Sequence, residues 1–554
     1  MFRSRYFALI AGWLAILIAI PPVTAQDKPS IRRRHVAAAE RIIGLSFTKA
    51  ERDSLIPNLL SNRRNYRRIR ELDLGNEVPP ALLFNPVPMG RTFDTTTRPS
   101  VWSPVGTVVR PDNLADLAWY SVAQLGELLR TGQVTSTELT RLALERLQRY
   151  DGDLHAVVTL TEELALEQAA RADAEIAAGN YRGPLHGIPY GAKDLLAVKS
   201  YPTTWGATPY KEQVVDSDAT VIRKLEEAGA VLVAKLTLGA LARGDVWFGG
   251  KTRNPWNTEQ GSSGSSAGPA STVAAGLVPF AIGSETLGSI ISPATRNGVT
   301  GLRPTFGRVS RAGAMALSWS MDKLGPMCRS VEDCALVFDA IRGPDGLDQT
   351  VVDLPFNYNY DVDLSSLRIG YYQSAFEADY TNHDRDAAVL DVLRDLGAEL
   401  IPIELPDFPV SELIFVLRAE SGAAFDELTL SNRDDLLVRQ TRNSWPNAFR
   451  SARFIPAVEY IQANRARYVL IQKMAVVMDQ VDVYVSPSFG GDNLRLTNLT
   501  GHPCVVLPNG FNDRGSPTSI TFMGGLYDEA TLLAVARAYQ EATDWHQQHP
   551  PDFK

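Results

Sequence analysis

A stretch rich in small residues, at positions 264–304, most constrains how this chain folds. It is crowded with Gly, Ser, Thr and Ala, yet it carries an apolar run at 277–282. Flexible linkers share the Gly and Ser but lack such a run, which predicts a buried strand. Small residues on both sides of a buried strand indicate that the backbone packs very close to a neighbouring group. The stretch therefore belongs to the core of a folded domain.

A tight loop is predicted directly after this strand. Gly283 and Gly288 bracket four residues whose backbone N–H groups could converge on one point. Such a nest of donors is what an oxyanion hole requires. Ser289 closes the loop and is the candidate nucleophile. Because a serine hydroxyl is a weak nucleophile until its proton is removed, a base has to lie nearby.

A second serine motif offers an alternative nucleophile. Residues 264–268 fit G-x-S-x-G, the nucleophile elbow of α/β-hydrolases, with Ser266 at the centre. That motif requires a strand directly before it, whereas residues 251–260 are polar and interrupted by a proline. The context disfavours the elbow, which would pair Ser266 with a C-terminal histidine such as His502 or His546.

A lysine upstream is the candidate base. Lys193 follows the segment 185–192 and precedes Leu195 and Leu196, so an apolar setting is expected. A lysine acts as a base only when it is neutral, and burial disfavours its charged form. The alternative is a surface lysine at a strand end, which is the usual place for this residue.

These motifs resemble those of the amidase signature family. GSSAGPASTVAAG, GSETLGSIISPA and GVTGLRPTFGRVSR resemble its glycine- and serine-rich signature, and GIPYGAKD at 187–194 resembles its lysine motif. Laid on the chain without gaps, the family's Ser-cisSer-Lys set falls on Ser289 as nucleophile, Ser265 as the cis-peptide serine and Lys193 as base. The resemblance extends from about residue 117 to the C-terminus.

The resemblance implies an acyl-enzyme mechanism. The hydroxyl of Ser265 would pass a proton between Ser289 and Lys193, for which the alternative is an ordinary turn serine. The backbone N–H groups implied to hold the oxyanion are those of Thr286, Leu287, Gly288 and Ser289.

The chain departs from the family pattern at two positions of the nucleophile loop. Leu287 stands where the family has the first of two glycines, and Ile291 stands where it has an arginine. An arginine can hold a substrate carboxylate in a bidentate grip, so its loss predicts a neutral or apolar acyl part at a pocket that includes Ile291. Asp245 and Trp247 are also expected to line this pocket; the alternative is that they only pack.

The alternation of helices and short apolar strands predicts an α/β layer fold, and the resemblance implies a mixed central sheet covered by helices over residues 116–554. Ser121 and Thr135 each begin a capping box that opens an amphipathic helix. The other predicted elements include a helix capped by Asp218 and ending at Gly229, a helical stretch at 409–480, a loop at 497–503, and strands at 155–160, 230–234, 367–372, 399–403, 481–486 and 504–508. The resemblance implies that residues 409–480 are the variable region over the acyl pocket.

The first 115 residues lie outside the resemblance. Residues 1–25 have the pattern of a secretory signal peptide, because two arginines precede an apolar run at 6–20 and small residues follow it. This pattern predicts export to the periplasm or the medium, with an uncleaved anchor as the alternative. Residues 26–115 are predicted to form an N-terminal helical extension, with helices at 35–45 and 49–72, and a connecting arm.

Composition excludes several classes of protein. The chain has 554 residues and a net charge of −8 at pH 7, which favours neither a nucleic-acid nor an anionic-membrane partner. The basic run at 63–70 is typical of a solvated helix face, with a nucleic-acid or lipid role as the alternative. No nucleotide-binding or metal-ligand spacing is present, so neither a cofactor nor a metal is expected. Three cysteines are predicted to be small core residues, with one bridge as the alternative: Cys328, Cys334 and Cys504.

The sequence therefore predicts a serine amidohydrolase that cleaves the C–N bond of a small-molecule amide, and esters are easier substrates for the same chemistry. One alternative is an amidotransferase A-type subunit that works on charged tRNA, which the export pattern disfavours. Another is a secreted binding protein of the same fold, which the presence of all three catalytic positions disfavours. No stable membrane insertion is expected after signal cleavage, and the oligomeric state is left open between monomer and homodimer.

Overall fold

The structure of the protein is a computed structural model that describes residues 31–72 and 74–554. The chain divides into two compact units, Met1–Leu74 and Gly75–Lys554. The predicted signal peptide at 1–25 lies outside the described residues. Within the described ranges, no helix is long and apolar enough to cross a membrane.

The first unit contains two helices, α1 (Arg33–Ile43) and α2 (Lys49–Arg70). Both were predicted from the sequence, and their ends differ by no more than two residues. Thr48 and Glu51 form a capping box at the start of α2, because each side chain bonds the other residue's backbone N–H. An ion pair of 2.7 Å between Arg52 and Glu40 ties the two helices together.

Of the elements in the described residues, the second unit contains the other α-helices and the strands. Its helices are α3 (Val122–Arg130), α4 (Ser136–Leu154), α5 (Glu162–Ala177), α6 (Thr220–Glu227), α7 (Ala267–Ala274), α8 (Ile291–Asn297), α9 (Val331–Ile341), α10 (Gln373–Glu377), α11 (His383–Asp395), α12 (Val410–Leu413), α13 (Phe415–Ala424), α14 (Asp426–Leu430), α15 (Trp445–Ala452), α16 (Ala457–Met478), α17 (Asn493–Thr500) and α18 (Glu529–Glu541). Its strands are β1 (Val157–Leu160), β2 (Pro189–Lys193), β3 (Val231–Leu236), β4 (Val246–Trp247), β5 (Gly250–Lys251), β6 (Arg253–Asn254), β7 (Asn257–Gly261), β8 (Phe280–Glu285), β9 (Thr300–Arg303), β10 (Lys323–Cys328), β11 (Ile369–Tyr372), β12 (Leu400–Ile403), β13 (Val483–Pro487), β14 (Cys504–Phe511) and β15 (Pro517–Gly524).

Eleven strands form one mixed sheet in the order β1-β3-β2-β8-β10-β9-β14-β15-β13-β11-β12. Strands β3, β2 and β8 run parallel, as do β13, β11 and β12, and the pairs between these two groups are antiparallel. Two ribbons, β4–β5 and β6–β7, lie outside this sheet. The predicted fold class, a mixed sheet covered by helices, is confirmed.

Both faces of the sheet are buried, which explains why its central strands read as continuous apolar runs. Along β8, Phe280 and Ile282 belong to one hydrophobic cluster, whereas Ala281 between them belongs to the other. Along β14, Val505 belongs to the first cluster and Val506 to the second. Because successive side chains of a strand point to opposite faces, the two clusters form one core on each side of the sheet.

Two predicted elements near the site differ from the structure. The strand predicted at 277–282 is β8, which begins three residues later at Phe280 and continues to Glu285. The loop predicted at 497–503 is largely α17, which ends at Gly501 with φ of 82°. Its polar sequence hid the helix, because the hydroxyls of Thr497 and Thr500 bond carbonyls one turn back while two leucines are buried.

The predicted cap of α6 is wrong as well. The N-cap position is Ala219, which provides no side-chain capping hydrogen bond. Asp218 lies one residue too early, and its carboxylate instead accepts the N–H of Lys199 at 2.8 Å. The three cysteines are buried and free, so the prediction that they are small core residues is confirmed.

Residues 75–113 form an arm without helix or strand in the second unit. Near its centre, Val101 donates its N–H to the carbonyl of Tyr358 at 2.7 Å and accepts from Tyr360 at 3.1 Å. Ser103 bonds the carboxylate of Glu332 through its N–H at 2.7 Å. The arm is therefore held to the sheet-and-helix body by hydrogen bonds along its length.

Candidate active site

Lys193 is the last residue of β2, and its side chain is fully buried. The next residue, Asp194, forms a buried ion pair of 2.7 Å with Lys235 on the neighbouring strand β3. Asp194 also accepts the N–H of Thr204 at 2.9 Å. These contacts fix the end of the strand, so the direction in which Lys193 leaves the backbone is fixed too.

Ser265 lies beside this lysine, in the loop that leads from β7 to α7. Its hydroxyl oxygen is 2.9 Å from the Lys193 Nζ, and the peptide bond between Gly264 and Ser265 is cis. A Cβ at Gly264 would lie 2.0 Å from the carbonyl oxygen of Gly244, so only glycine fits there. The structure thus brings together two residues that are far apart in the sequence.

Two more serines contact the same amine, and the sequence analysis did not predict this contact for either of them. The hydroxyl of Ser266 lies 3.0 Å and that of Ser284 lies 2.9 Å from the Lys193 Nζ. Ser266 also donates to the carbonyl of Ser284 and accepts from its N–H, both at 3.1 Å. The signal that could have found them is their position in the same small-residue stretch as Ser265.

The electrostatic setting favours a neutral amine at Lys193. Burial lowers the pKa of Lys193 well below its usual value, and the negative charges of Asp322 and Glu285 oppose this shift only in part. Among the described residues, every hydrogen-bond partner of the amine is a serine oxygen. A neutral amine can accept a proton, so the arrangement is suited to a base.

Ser289 lies in the turn between β8 and α8 and is half-buried. Its carbonyl accepts the N–H of Ser266 at 3.1 Å, which joins the nucleophile loop to the Ser265 loop. Gly288 has φ of 83°, a conformation that favours glycine, so this position is one the turn requires. In the described ranges, no acceptor bonds the backbone N–H groups of Thr286, Leu287, Gly288 and Ser289.

The buried carboxylate of Glu285 fixes the nucleophile loop through hydrogen bonds, and the sequence analysis did not predict this role. One of its oxygens accepts the N–H groups of Ile290 at 2.9 Å and Ile291 at 3.1 Å. The other oxygen pairs with Arg303 at 2.9 Å and accepts from Asn498 at 2.8 Å. Burial, the largest single effect, would raise the pKa of Glu285. The charge of Arg303, the hydrogen bonds from Arg303 and Asn498, and the charge of Lys323 together outweigh it and bring the pKa to about 2. The carboxylate is therefore charged and fixes the backbone after Ser289.

The three residues expected to line the substrate pocket are Ile291, Trp247 and Asp245, and the structure shows each of them in packing or hydrogen-bond contacts. Ile291 is fully buried at the start of α8, and Trp247 packs edge-on against Phe248. The carboxylate of Asp245 accepts the N–H of Ser263 at 3.1 Å. None of the three lines the cavity that reaches Ser284 and Thr286. Their role in binding substrate stays a prediction.

The elbow interpretation of Ser266 finds no support in this geometry. A short strand, β7, does precede the motif, which the sequence did not predict, but it pairs only with β6 outside the central sheet. The hydroxyl of Ser266 contacts Lys193 and Ser284, whereas His502 is bonded to Thr500 at 2.8 Å.

Comparison with known proteins identifies the family of this chain. The family model described as Amidase matches residues 138–497. The chain belongs to the amidase signature family. Among curated proteins, this amidase signature protein is similar to the A-type subunit of glutamyl-tRNA(Gln) amidotransferase from Halorhodospira halophila, at 34% identity over 78% of this chain and 99% of that protein. The protein of the same name from a Roseiflexus species is 36% identical over 76% of this chain and 96% of that protein.

Solved structures of amidases resemble this one as well. The native peptide amidase of Stenotrophomonas maltophilia matches with a TM-score of 0.69 and 32% identity, over 78% of this chain and 98% of that one. A bacterial aryl acylamidase of the amidase signature family matches with a TM-score of 0.68 over 77% of this chain and 97% of that one, at 23% identity, which shows a shared fold alone.

Proposed function

We propose that this protein cleaves an amide C–N bond through an acyl-enzyme on Ser289, with Ser265 and Lys193 moving the proton. The observation that carries the proposal is the 2.9 Å contact between the buried Lys193 amine and the Ser265 hydroxyl. Membership of the amidase family supports the same chemistry.

The hydrogen-bond capacity of the lysine fits this role. A neutral amine has two N–H donors and one lone pair. The hydroxyls of Ser266 and Ser284 take the two donors, and the Ser284 carbonyl at 3.4 Å is a weaker acceptor. The lone pair is then free to accept the Ser265 proton, so Ser265 can in turn accept the proton of Ser289. A protonated lysine would have three donors and no place for that proton.

The proposed reaction has two stages, acylation of Ser289 and hydrolysis of the acyl-enzyme. The Ser289 oxygen attacks the amide carbon while its proton passes through Ser265 to Lys193, and the N–H groups of the loop 286–289 hold the oxyanion. The C–N bond then breaks, and the leaving amine takes its proton back from Lys193 through Ser265. Water, activated by the same relay, attacks the ester of Ser289 and releases the acid.

Two finer functions share this chemistry. The curated relatives support an amidotransferase A-type subunit, the alternative from the sequence, more strongly than a free amidohydrolase, since they align over nearly their whole length. A partner protein would then be expected, because their name is that of a subunit. The peptide amidase structure and the buried Ile291, in place of an arginine, support a free amidohydrolase acting on a neutral or apolar acyl part.

The two functions predict different substrates for the purified chain. An amidotransferase subunit should release ammonia from glutamine and depend on its partner for full rate. A free amidohydrolase should cleave a neutral amide alone, and should prefer it over the matched monoamide of a dicarboxylate. Preference for the acidic substrate would refute the neutral acyl pocket.

Covalent labelling tests the shared mechanism first. A fluorophosphonate should label Ser289, as peptide mass mapping can show, and Ser289→Ala should remove the label. Ser292→Ala is the matched control, because this hydroxyl lies in the first turn of α8 and bonds Ser263 at 2.7 Å. A label on Ser266 would favour the elbow, and the absence of both label and small-amide hydrolysis would favour a binding protein. Export directed by residues 1–25 is a separate proposal, tested by the N-terminal sequence of the mature protein.

A further inference from the structure

A cavity of about 560 Å³ reaches the strand that precedes the nucleophile loop. At its inner end lie Ser284, whose hydroxyl contacts the Lys193 amine, and Thr286, the first residue of the predicted oxyanion loop. Much of its wall is apolar, with side chains that include Leu195 and Met315. Ser289, Ser265 and Lys193 do not themselves line the cavity, so an apolar group bound in it would lie beside Ser284 and Thr286.

The outer wall of this cavity comes from the arm. We name residues 76–84 the strap, and its segment 79–83, with the sequence PPALL, lines the cavity along one side. The side chain of Leu82 is 80% exposed, which places it at an open mouth. The matched family region, 138–497, does not include the strap, so this wall is a feature of the chain outside the shared core.

The strap also borders a second cavity, of about 750 Å³, under helices α13 and α16. The two cavities share four lining residues, which are Pro80, Leu82, Leu83 and Trp319. Ala423 and Ile461 add apolar surface to the second cavity. The strap and Trp319 therefore border two cavities that are apolar in large part, one of which reaches Ser284 and Thr286.

Two anchors hold the strap, one at each end. The Asn76 amide donates to the carbonyl of Ala316 at 2.8 Å and accepts its N–H at 2.7 Å. At the other end, the Phe84 ring packs edge-on against Phe306 at 5.0 Å, with the Arg467 guanidinium 3.5 Å from its centroid. Within the described ranges, the N–H groups at 81–83 form no hydrogen bond. The position of the wall therefore depends on these anchors.

We infer that the strap is the specificity-determining wall for an apolar acyl group, which would enter the cavity past Thr286 and Ser284 and extend along residues 79–83. The inference rests on the proposed function, because it takes the cavity at Ser284 and Thr286 to be the acyl side of that reaction. An acyl chain of increasing length would bury more apolar surface against the strap, whereas an acetyl group would not reach it.

Hydrolysis of acetyl, hexanoyl and decanoyl p-nitroanilides by the full chain tests this inference. Ala81→Trp enlarges a side chain that lines the cavity, and Asn76→Ala releases one anchor. Val109→Trp is the matched control, because Val109 is an exposed arm residue outside the lining of both cavities. We expect Ala81→Trp to lower kcat/KM for the decanoyl substrate roughly tenfold, or about 1.4 kcal/mol, mainly through KM. The acetyl substrate should change by less than about twofold, Asn76→Ala should act in the same direction, and Val109→Trp should match the wild type.

Two outcomes overturn the inference. In the first, Ala81→Trp changes the acetyl and decanoyl rates equally, which a general structural effect would do. In the second, the decanoyl rate is unchanged. If the wild type cleaves none of the anilides, fluorophosphonate labelling of Ser289 tests the proposed function separately, and calorimetric binding of decanamide tests the strap. Binding that Ala81→Trp weakens and Val109→Trp does not would support the wall, whereas equal or absent binding would refute it.

Discussion

Replacing Lys193 by methionine should remove activity and make the protein more stable at neutral pH. The side chain is fully buried, and burial lowers the pKa of Lys193 well below its usual value. In the unfolded chain the same lysine has a pKa of about 10.4. An amine that is neutral in the fold at pH 7 therefore has to lose a proton on folding, which costs roughly 4 to 5 kcal/mol.

Lys193→Met removes this cost, but part of the stability gained is offset by the hydrogen bonds that the variant loses. The amine contacts three serine hydroxyls, of which Ser266 and Ser284 keep their bonds to each other in the variant. At about 1 kcal/mol for each lost bond, the net stabilisation by Lys193→Met should be about 1 to 2 kcal/mol at pH 7. A unit as large as Gly75–Lys554 has an unfolding entropy of about 1 kcal/mol/K, so Tm should rise by about 1 to 2 °C.

The pH dependence is the sharper test. Because the unfolded state binds more protons than the folded one at this site, the stability of the wild type rises with pH toward the unfolded pKa. The methionine variant lacks this dependence. Between about pH 7 and pH 10 the Tm of the wild type should therefore rise by about 4 °C relative to that of Lys193→Met. The variant should be the more stable protein at about pH 7, and the wild type at about pH 10.

Thermal unfolding of both proteins, followed by circular dichroism at the two pH values, measures this difference. Lys235→Met is the matched control, because Lys235 is an equally buried lysine on the neighbouring strand but is paired with Asp194. Removing it leaves a buried carboxylate unpaired and should destabilise the protein by about 3 to 5 kcal/mol. A Tm difference between the wild type and Lys193→Met that is the same at both pH values would refute the neutral amine.

Two further substitutions probe the loop and its support. Glu285→Gln breaks the buried pair with Arg303 and should destabilise the protein by about 3 to 5 kcal/mol at pH 7. Because the pKa of Glu285 in the folded state is lowered to about 2, the wild type should lose this extra stability as the pH falls from about 4.5 through that value. A stability difference that persists in acid would contradict the assignment. Gly264→Ala places a Cβ 2.0 Å from the Gly244 carbonyl oxygen and should abolish amide cleavage. The control is Gly152→Ala, in α4 with open space around it, which should keep full activity and change stability by at most about 1 kcal/mol. Equal effects of the two substitutions would refute the packing argument.

Helices and strands were predictable wherever a local signal existed. The capping boxes at Ser121 and Thr135 start α3 and α4 as predicted, because a hydroxyl and a side-chain carbonyl or carboxylate satisfy the end of a helix within four residues. Where the signal was not local, the prediction failed. Asp218 looked like a cap but bonds Lys199, and the polar sequence of α17 concealed a helix whose hydroxyls bond its own backbone.

The sequence by itself determined the family, the fold class and the residue types available for the chemistry. The small-residue stretch and the lysine motif were enough for this, because close backbone packing permits few residue types. Only the tertiary structure decided that Ser266 and Ser284 surround the Lys193 amine and that Glu285 holds the nucleophile loop. Burial and hydrogen-bond geometry depend on strands that meet from distant parts of the chain, so they leave no local pattern. The same reason hid the strap, whose residues carry no motif and gain a role only from the cavities they cover.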